Sequence, residues 1–266
     1  MKRIGLLGCG AIGTQIAIAI DTGIIQAQLT HIFDTDKKTA ENLLTKLKQK
    51  PIIVENVHLL SSNPVDLIVE AASQQAVSDN ALSILQNRRD LMIMSAGALL
   101  DESVFEIISD ACSEFKKTVY LPSGAISGVD AIKSARNELE SVTITTPKHP
   151  RSLKGAKFFE TSNLDLDNIS DETIIFEGTA SEAVRLFPKN VNVSALLSLA
   201  GLGSHETIVK VIANPSIDKN IHRIEAVGKF GKINTTVENI PDNTNPKTSR
   251  LAILSAIETL RSICSD

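Results

Sequence analysis

Six residues near the start constrain this chain more than any other stretch. Gly8-Cys-Gly-Ala-Ile-Gly13 directly follows an apolar run, Arg3 to Leu7, and opens a segment, Ala11 to Ile20, in which Ile12, Ile16 and Ile20 recur at helical spacing. Glycines at these three places between a strand and a helix each answer a different need of a bound dinucleotide. Gly8 allows the tight turn, Gly10 lets the backbone approach a pyrophosphate, and Gly13 lets the helix pack close on the strand. Past the turn, the amides around Ala11 and Ile12 and the positive end of the helix dipole are suited to phosphate oxygens. The pattern also asks for an acid about 20 residues further on, at the end of the second strand, and Asp34 stands there after His31-Ile-Phe33. A carboxylate at that place accepts from a ribose 2′-hydroxyl and repels a 2′-phosphate. NAD is therefore the expected cofactor, with NADP as the alternative because Lys37 and Lys38 are close by.

The alternation continues. Leu29–Phe33, Asp66–Glu70, Leu91–Met94 and Val119–Leu121 read as strands, and helical stretches lie between them, with Asp36 and Asp101 at N-cap positions. Repeated βα units imply a parallel sheet covered on both faces, a Rossmann-type doubly wound α/β domain over residues 1–122. After Pro122 the rhythm changes. Gly128–Leu139 reads as a helix, Val142–Thr146 as a strand, 152–175 as a polar loop, and Ala180–Phe187 and Val193–Ala200 as helices. Thr207–Ala213, Ile221–Val227 and Lys232–Val237 follow as strands without helices between them, which suggests an antiparallel sheet. Residues 123–245 are thus expected to form an α+β catalytic domain. Thr248–Cys264 reads as a closing helix, and residues 246–266 are expected to pack back on the first domain.

Composition removes several functions. One Tyr, no Trp and a formal net charge of −4 argue against a nucleic-acid binder or a membrane-surface protein. No apolar run approaches the roughly 18 residues of a membrane span, and Ile4 to Gly8 is shorter than a signal peptide's apolar region. Cys9, Cys112 and Cys264 are odd in number and far apart, so neither a disulfide framework nor a metal site is expected, and a reducing cytoplasm fits best.

Ligands of such a sheet bind beyond the carboxyl ends of its strands. The strand ends here read Glu70-Ala-Ala-Ser73, Ser95-Ala-Gly-Ala98 and Pro122-Ser-Gly-Ala-Ile-Ser-Gly128, and their small residues, Ala72 and Ser73 among them, admit a nucleotide close to the backbone. Proton transfer needs a further group, and five histidines compete for it. His31 lies within a strand and reads as structural, His58 falls in an irregular stretch, and His149 in a loop. His205 and His222 belong to the second half, with His222 in a strand whose same-face neighbours are Ile224 and Ala226. A half-buried structural histidine is the plainer reading of that position. Phe187-Pro-Lys-Asn-Val-Asn-Val193 adds Lys189 for a carboxylate and Asn192 for a carboxamide, with helix capping as the plainer role of the asparagines.

Taken together, these strings resemble the L-aspartate dehydrogenase family. The resemblance is carried by Gly8–Gly13, Val69-Glu-Ala-Ala-Ser73, Ser95-Ala-Gly-Ala-Leu99, Leu121-Pro-Ser-Gly-Ala-Ile-Ser-Gly128, Phe176-Glu-Gly-Thr-Ala-Ser-Glu182, Leu186–Val193, His222 and Asn245-Pro-Lys-Thr-Ser249. It implies a Rossmann domain plus a catalytic α+β domain, cofactor contacts from Ala125 and Asn192, and His222 as the active-site residue. It further implies NAD(P)-dependent oxidation of L-aspartate to iminosuccinate, then oxaloacetate and ammonia, in the service of NAD biosynthesis. Substrate carboxylates require cations, for which Lys189 and Lys247 are the candidates. A homodimer is expected, paired through the second domain's sheet. Two stretches depart from the family pattern: Lys148-His-Pro150, where Lys-Pro-Pro is expected, and the polar run 152–175. Rival readings are a homoserine- or dihydrodipicolinate-type reductase and a non-catalytic NAD-sensing protein. A sugar oxidoreductase would show Glu-Lys-Pro where Ser95-Ala-Gly-Ala98 stands. An aldehyde dehydrogenase needs a thiol nucleophile, and Cys112 falls inside a helix.

Overall fold

The computed structural model describes all residues except Asn163, 188–191, Asn243, Thr244, Pro246, Lys247 and Asp266. The chain divides into two compact units, Met1–Pro122 with Ile253–Asp266, and Ser123–Ala252.

The first unit runs β1 (Lys2–Leu7), α1 (Ala11–Asp21), β2 (Ala27–Phe33), α2 (Lys37–Lys46), β3 (Ile52–Ile53), α3 (Val57–Ser62), β4 (Leu67–Glu70), α4 (Gln74–Gln86), β5 (Asp90–Ile93), α5 (Glu102–Phe115) and β6 (Val119–Tyr120). All six strands are parallel, in the order β3-β2-β1-β4-β5-β6. This is the doubly wound order, as the sequence rhythm implies. It opens a crevice beyond the ends of β1 and β4, where the strand order reverses. Leu7 pairs with Glu70 at that point, so the glycine turn and the Ala71-Ala72 backbone are neighbours. All four residues of β4 and the last four of β1 are buried, as expected of strands covered on both sides. Ile4, Leu6, Ile16, Ile32 and Val69 share one core with Ala256, Leu260 and Ile263 of the closing helix. Arg3 clasps Asp66 across the start of β1 and β4 at 2.7 Å. Both side chains are well exposed, so solvent screens that ion pair and it contributes little. The irregular stretch expected around His58 is instead β3 and α3. Two-residue β3 is too short to show a period, and α3 is started locally by Asn56, whose side chain accepts from the Leu59 amide at 2.8 Å.

The second unit contains α6 (Val129–Ser134), β7 (Leu139–Lys148), α7 (Pro150–Leu153), α8 (Phe158–Thr161), β8 (Thr173–Thr179), α9 (Ala180–Leu186), α10 (Asn192–Ala200), β9 (Thr207–Ala213), β10 (Asn220–Gly228) and β11 (Gly231–Asn239). The final helix, α11 (Arg250–Ser265), follows, and its residues from Ile253 onward belong to the first unit. The sheet order is β11-β10-β7-β9-β8. The sheet is mixed rather than purely antiparallel: β7 and β9 run parallel, because the helical crossover between them brings the chain back in the same direction.

Two further expectations are corrected. Gly128–Leu139 is not one helix, because α6 stops at Ser134, Arg136–Glu138 form a 3-10 turn, and Leu139 already belongs to β7. The stretch 152–175 is not plain loop either, since it holds α8, a 3-10 turn at Leu166–Asn168 and the start of β8. Its order comes from tertiary packing. Phe158, Phe159, Phe176 and Phe187 form an aromatic cluster, with Phe158 stacked on the fully buried Phe187 at 5.3 Å. β8 lies at the sheet edge with a register break between Ile174 and Phe176, which destroys the alternation that marks a strand. Among the described residues, no helix is long and apolar enough to cross a membrane.

Candidate functional site

At the end of β1 the chain turns through Gly8 at φ +99°, a conformation that favours glycine. A Cβ on Gly8 would lie 2.6 Å from the Ala71 carbonyl oxygen, and one on Gly13 would lie 2.0 Å from the Gly8 carbonyl oxygen. Both glycines are therefore required by the fold itself. Gly10 is different. Its backbone is ordinary, at φ −68°, and a Cβ there would meet nothing within 4 Å. The fold has no need of a glycine at this position, whereas a diphosphate approaching the backbone does. Gly10 is also the N-cap of α1 and puts no side-chain oxygen on the amides that open the helix at Ala11 and Ile12. The residues fit a dinucleotide.

Asp34 is held in place by two amides. One carboxylate oxygen accepts from Cys9 N at 2.8 Å and the other from Asp36 N at 2.9 Å. This ties the acid at the end of β2 directly to the glycine turn. A cleft of about 400 Å³ opens here, lined by Gly8, Gly10, Asp34, Ala72 and Ser73 among others. Ser73 has a structural duty as well, since its hydroxyl caps α4 by accepting from Ala76 N at 3.1 Å. Burial, reinforced by the Asp34 charge, pushes the Cys9 thiol up to about 12, so it is no nucleophile at neutral pH.

Sequence reasoning left Glu70 without a role. It is 1% exposed. One oxygen accepts from Ala72 N and Ser95 Oγ, both at 2.8 Å, and the other from Ser95 N at 3.0 Å and Met94 N at 3.1 Å. Burial raises its pKa and these four donors oppose the rise. Four donors fill an acceptor-only group, so the ionised form matches the geometry. Glu70 thereby fastens the ends of β4 and β5 to the backbone that floors the cleft. The available signal was an acid closing an otherwise apolar strand, which must find partners once buried.

In the second unit, the inner face of β7 and β10 begins apolar, with Val142, Ile144, Ile224 and Ala226 buried, and ends polar. His222 on β10 is 3% exposed, and its Nδ1 lies 3.2 Å from Oγ1 of the buried Thr146 on β7. Burial first, and then the positive charge of Lys148, lower its pKa to about 3, so the ring is neutral at physiological pH. Lys148, two residues beyond Thr146 on β7, is only 4% exposed. Neither Thr146 nor Lys148 stands out in the sequence, because their meaning comes from the strand across the sheet. Asn239, at the end of β11, donates to the Ala125 carbonyl at 3.0 Å and to the Asn220 carbonyl at 3.2 Å, which seats the Ala125 loop beside the strand that carries His222. Asn192 is the first residue of α10 and is half-buried. Lys189 and Lys247 lie outside the described residues. Two other histidines have local roles: His31 is buried against the Thr30 hydroxyl, and His149, in the short link between β7 and α7, caps α7 by accepting from Arg151 N at 3.1 Å. Among the described residues no cluster of His, Cys, Asp and Glu could hold a metal ion.

Two family models match the chain: the aspartate dehydrogenase C-terminal family over residues 130–263, and the homoserine dehydrogenase NAD-binding domain over residues 8–122. An L-aspartate dehydrogenase of Nitrosopumilus maritimus is 65% identical over 266 residues, covering 100% of this chain and 98% of that protein. One from Methanococcoides burtonii is 48% identical over 265 residues, covering 99% and 97%. Among solved structures, an aspartate dehydrogenase of Thermotoga maritima superimposes with a TM-score of 0.78 at 28% identity, covering 99% of this chain and 97% of that one. A scyllo-inositol dehydrogenase of Lactobacillus casei, solved with NAD(H) and scyllo-inositol, reaches 0.60 at 12% identity, covering 100% and 89%, a likeness of fold alone.

Proposed function

The chain belongs to the L-aspartate dehydrogenase family, and from that premise we propose that it oxidises L-aspartate with a nicotinamide cofactor. The product is iminosuccinate, which water converts to oxaloacetate and ammonia, and the reverse reaction is a reductive amination. The full-length match to enzymes of that name carries the reading.

The glycine turn, the α1 N-terminus and Asp34 would hold the dinucleotide, with Ala72 and Ser73 at the cleft wall and Ala125 and Asn192 as further cofactor contacts. When bound, the nicotinamide supplies the acceptor for the hydride that leaves the amine-bearing carbon. NAD is favoured over NADP, because a 2′-phosphate would meet Asp34 and, close by, Asp36. The Thr39 hydroxyl and the Lys38 amide hold the Asp36 carboxyl below its usual range and so keep it charged. Lys37 pairs with Glu41 at 3.9 Å, which weakens its claim on a phosphate.

The substrate amine must be neutral before its carbon gives up hydride. His222 takes the proton or holds the water that does. As a base it requires the tautomer in which Nδ1–H donates to Thr146 Oγ1, which leaves the Nε2 lone pair available. Lys189 and Lys247 remain candidates for the substrate carboxylates. A cytoplasmic homodimer supplying NAD biosynthesis completes the reading.

An initial-rate panel tests it: L-aspartate, L-glutamate and L-homoserine, each with NAD and with NADP. The expected result is NADH formation from L-aspartate at least about tenfold faster than from either competitor. A rate with homoserine alone would favour the reductase reading. Tight NADH binding without any turnover would favour the sensor.

A further inference from the structure

The turn Ser123–Gly128, which carries Ala125, is fastened at two places along β11. At Ala125 the carbonyl oxygen accepts from Asn239 Nδ2 at 3.0 Å, and the same nitrogen donates to the Asn220 carbonyl at 3.2 Å. At the end of the turn Gly128, at φ +77°, lies so near β11 that a Cβ there would be 3.2 Å from Thr235 Cγ2. In the ladder between β10 and β11, Thr235 pairs with Ile224, Val237 with His222 and Asn239 with Asn220. The row that holds His222 therefore lies midway between the two fastening points. The turn also approaches α10, since a Cβ on Gly124, at φ +65°, would be 4.0 Å from Val193 Cγ1, next to Asn192. Asn239 is 3% exposed. Both backbone groups it meets are carbonyl oxygens, so the amide nitrogen must face them. Its Oδ1 is buried and takes no hydrogen bond among the described residues. The side chain thus acts by joining two backbone segments, and those two carry Ala125 and His222.

We propose that Asn239 is a positioning residue for hydride transfer. By holding the Ala125 turn against the start of β10, it sets the distance between the cofactor contacts of Ala125 and Asn192 and the substrate carbon beside His222. The assignment rests on the aspartate reading above and deepens it. Asn239 acts through the turn, not by touching substrate or cofactor. Transfer between two held carbons depends steeply on their separation, and a misplacement of about 1 Å costs about 10²-fold in rate. Binding is more forgiving, because the phosphate cradle and Asp34 lie on other segments of the chain. Loss of the Asn239 amide should therefore slow the chemical step while leaving affinities nearly unchanged.

The test compares wild type with Asn239→Ala and with Asn239→Asp, which keeps the shape and removes the donors. The quantity read is the rate of NADH formation in a single turnover at saturating NAD and L-aspartate, per chain able to bind NADH as counted by titration. Both variants should slow that step about 10- to 100-fold, with the NAD dissociation constant and the aspartate KM within about threefold of wild type. Asn239→Gln, which keeps both donors on a longer arm, should recover part of the rate. A merely structural role would lower the number of binding-competent chains and leave the rate of each unchanged, and that result overturns the proposal. Should neither donor-free variant fold, a wild-type crystal with NAD decides instead. A nicotinamide ring in contact with the Ser123–Gly128 turn supports the assignment, and a ring seated away from that turn overturns it. If the wild type turns over no aspartate at all, the functional reading fails and takes this assignment with it. If it does and the variants keep its rate, only the role of Asn239 falls.

Discussion

In the proposed function the two units would meet their ligands with different parts of the chain. In the first, recognition is built from backbone: a glycine turn, the open amides of α1, and an acid pinned by two further amides. In the second, it would be built from side chains, where the polar His222, Thr146 and Lys148 lie at one end of a sheet face that is otherwise apolar. Backbone recognition leaves its mark in residue identity at fixed spacing, because only glycine fits where a Cβ would strike a carbonyl. Side-chain recognition leaves no such mark, because a histidine in a strand looks the same whether it packs or reacts.

Substitutions that separate the two kinds of recognition put this contrast to work. The largest expected effect falls on the second unit. His222→Ala should lower kcat by about 10²–10⁴-fold while leaving the NAD dissociation constant near wild type. Turnover unchanged by this substitution would remove His222 from the chemistry. Next comes Gly13→Ala, whose Cβ would stand 2.0 Å from the Gly8 carbonyl oxygen. It should cost about 2–4 kcal/mol of stability in urea unfolding, and a wild-type midpoint would show that the turn is looser than described.

A smaller effect concerns pH. Burial holds His222 at about 3 in the folded protein against an ordinary 6.5. Between those values the unfolded chain binds a proton that the native chain refuses. The stability associated with the neutral ring is complete above about 6.5 and is lost progressively as the pH falls toward 3. The unfolding midpoint of wild type should fall more steeply over that range than that of His222→Gln, and parallel curves would contradict the burial argument.

The same contrast explains what could be read in advance. Most of the order of elements through residue 122, β3 and α3 excepted, was legible, as were the glycine turn and the place of Asp34 at the end of β2, since hydrophobic period and glycine spacing are local properties. Glu70 was not, because its four donors come from Ala72, Met94 and Ser95, and two of those residues lie just beyond the next strand, β5. β8 escaped notice because a register break at the sheet edge interrupts its alternation. The helical pieces between β7 and β8 are held by four phenylalanines that converge only after folding. His222 stood out through likeness to a family, whereas its partners Thr146 and Lys148 belong to a strand some 76 positions away in sequence and become visible only in the sheet.

Gly10 offers the sharpest single measurement, because it alone of the three turn glycines has open space where a side chain would go. Titrate Gly10→Ala with NAD by calorimetry, with its unfolding midpoint recorded alongside. The account predicts an affinity lowered at least about tenfold, a loss of about 1.4 kcal/mol, in a protein whose stability stays within about 1 kcal/mol of wild type. A folded Gly10→Ala protein that binds NAD as tightly as wild type would mean that the diphosphate does not lie against this turn.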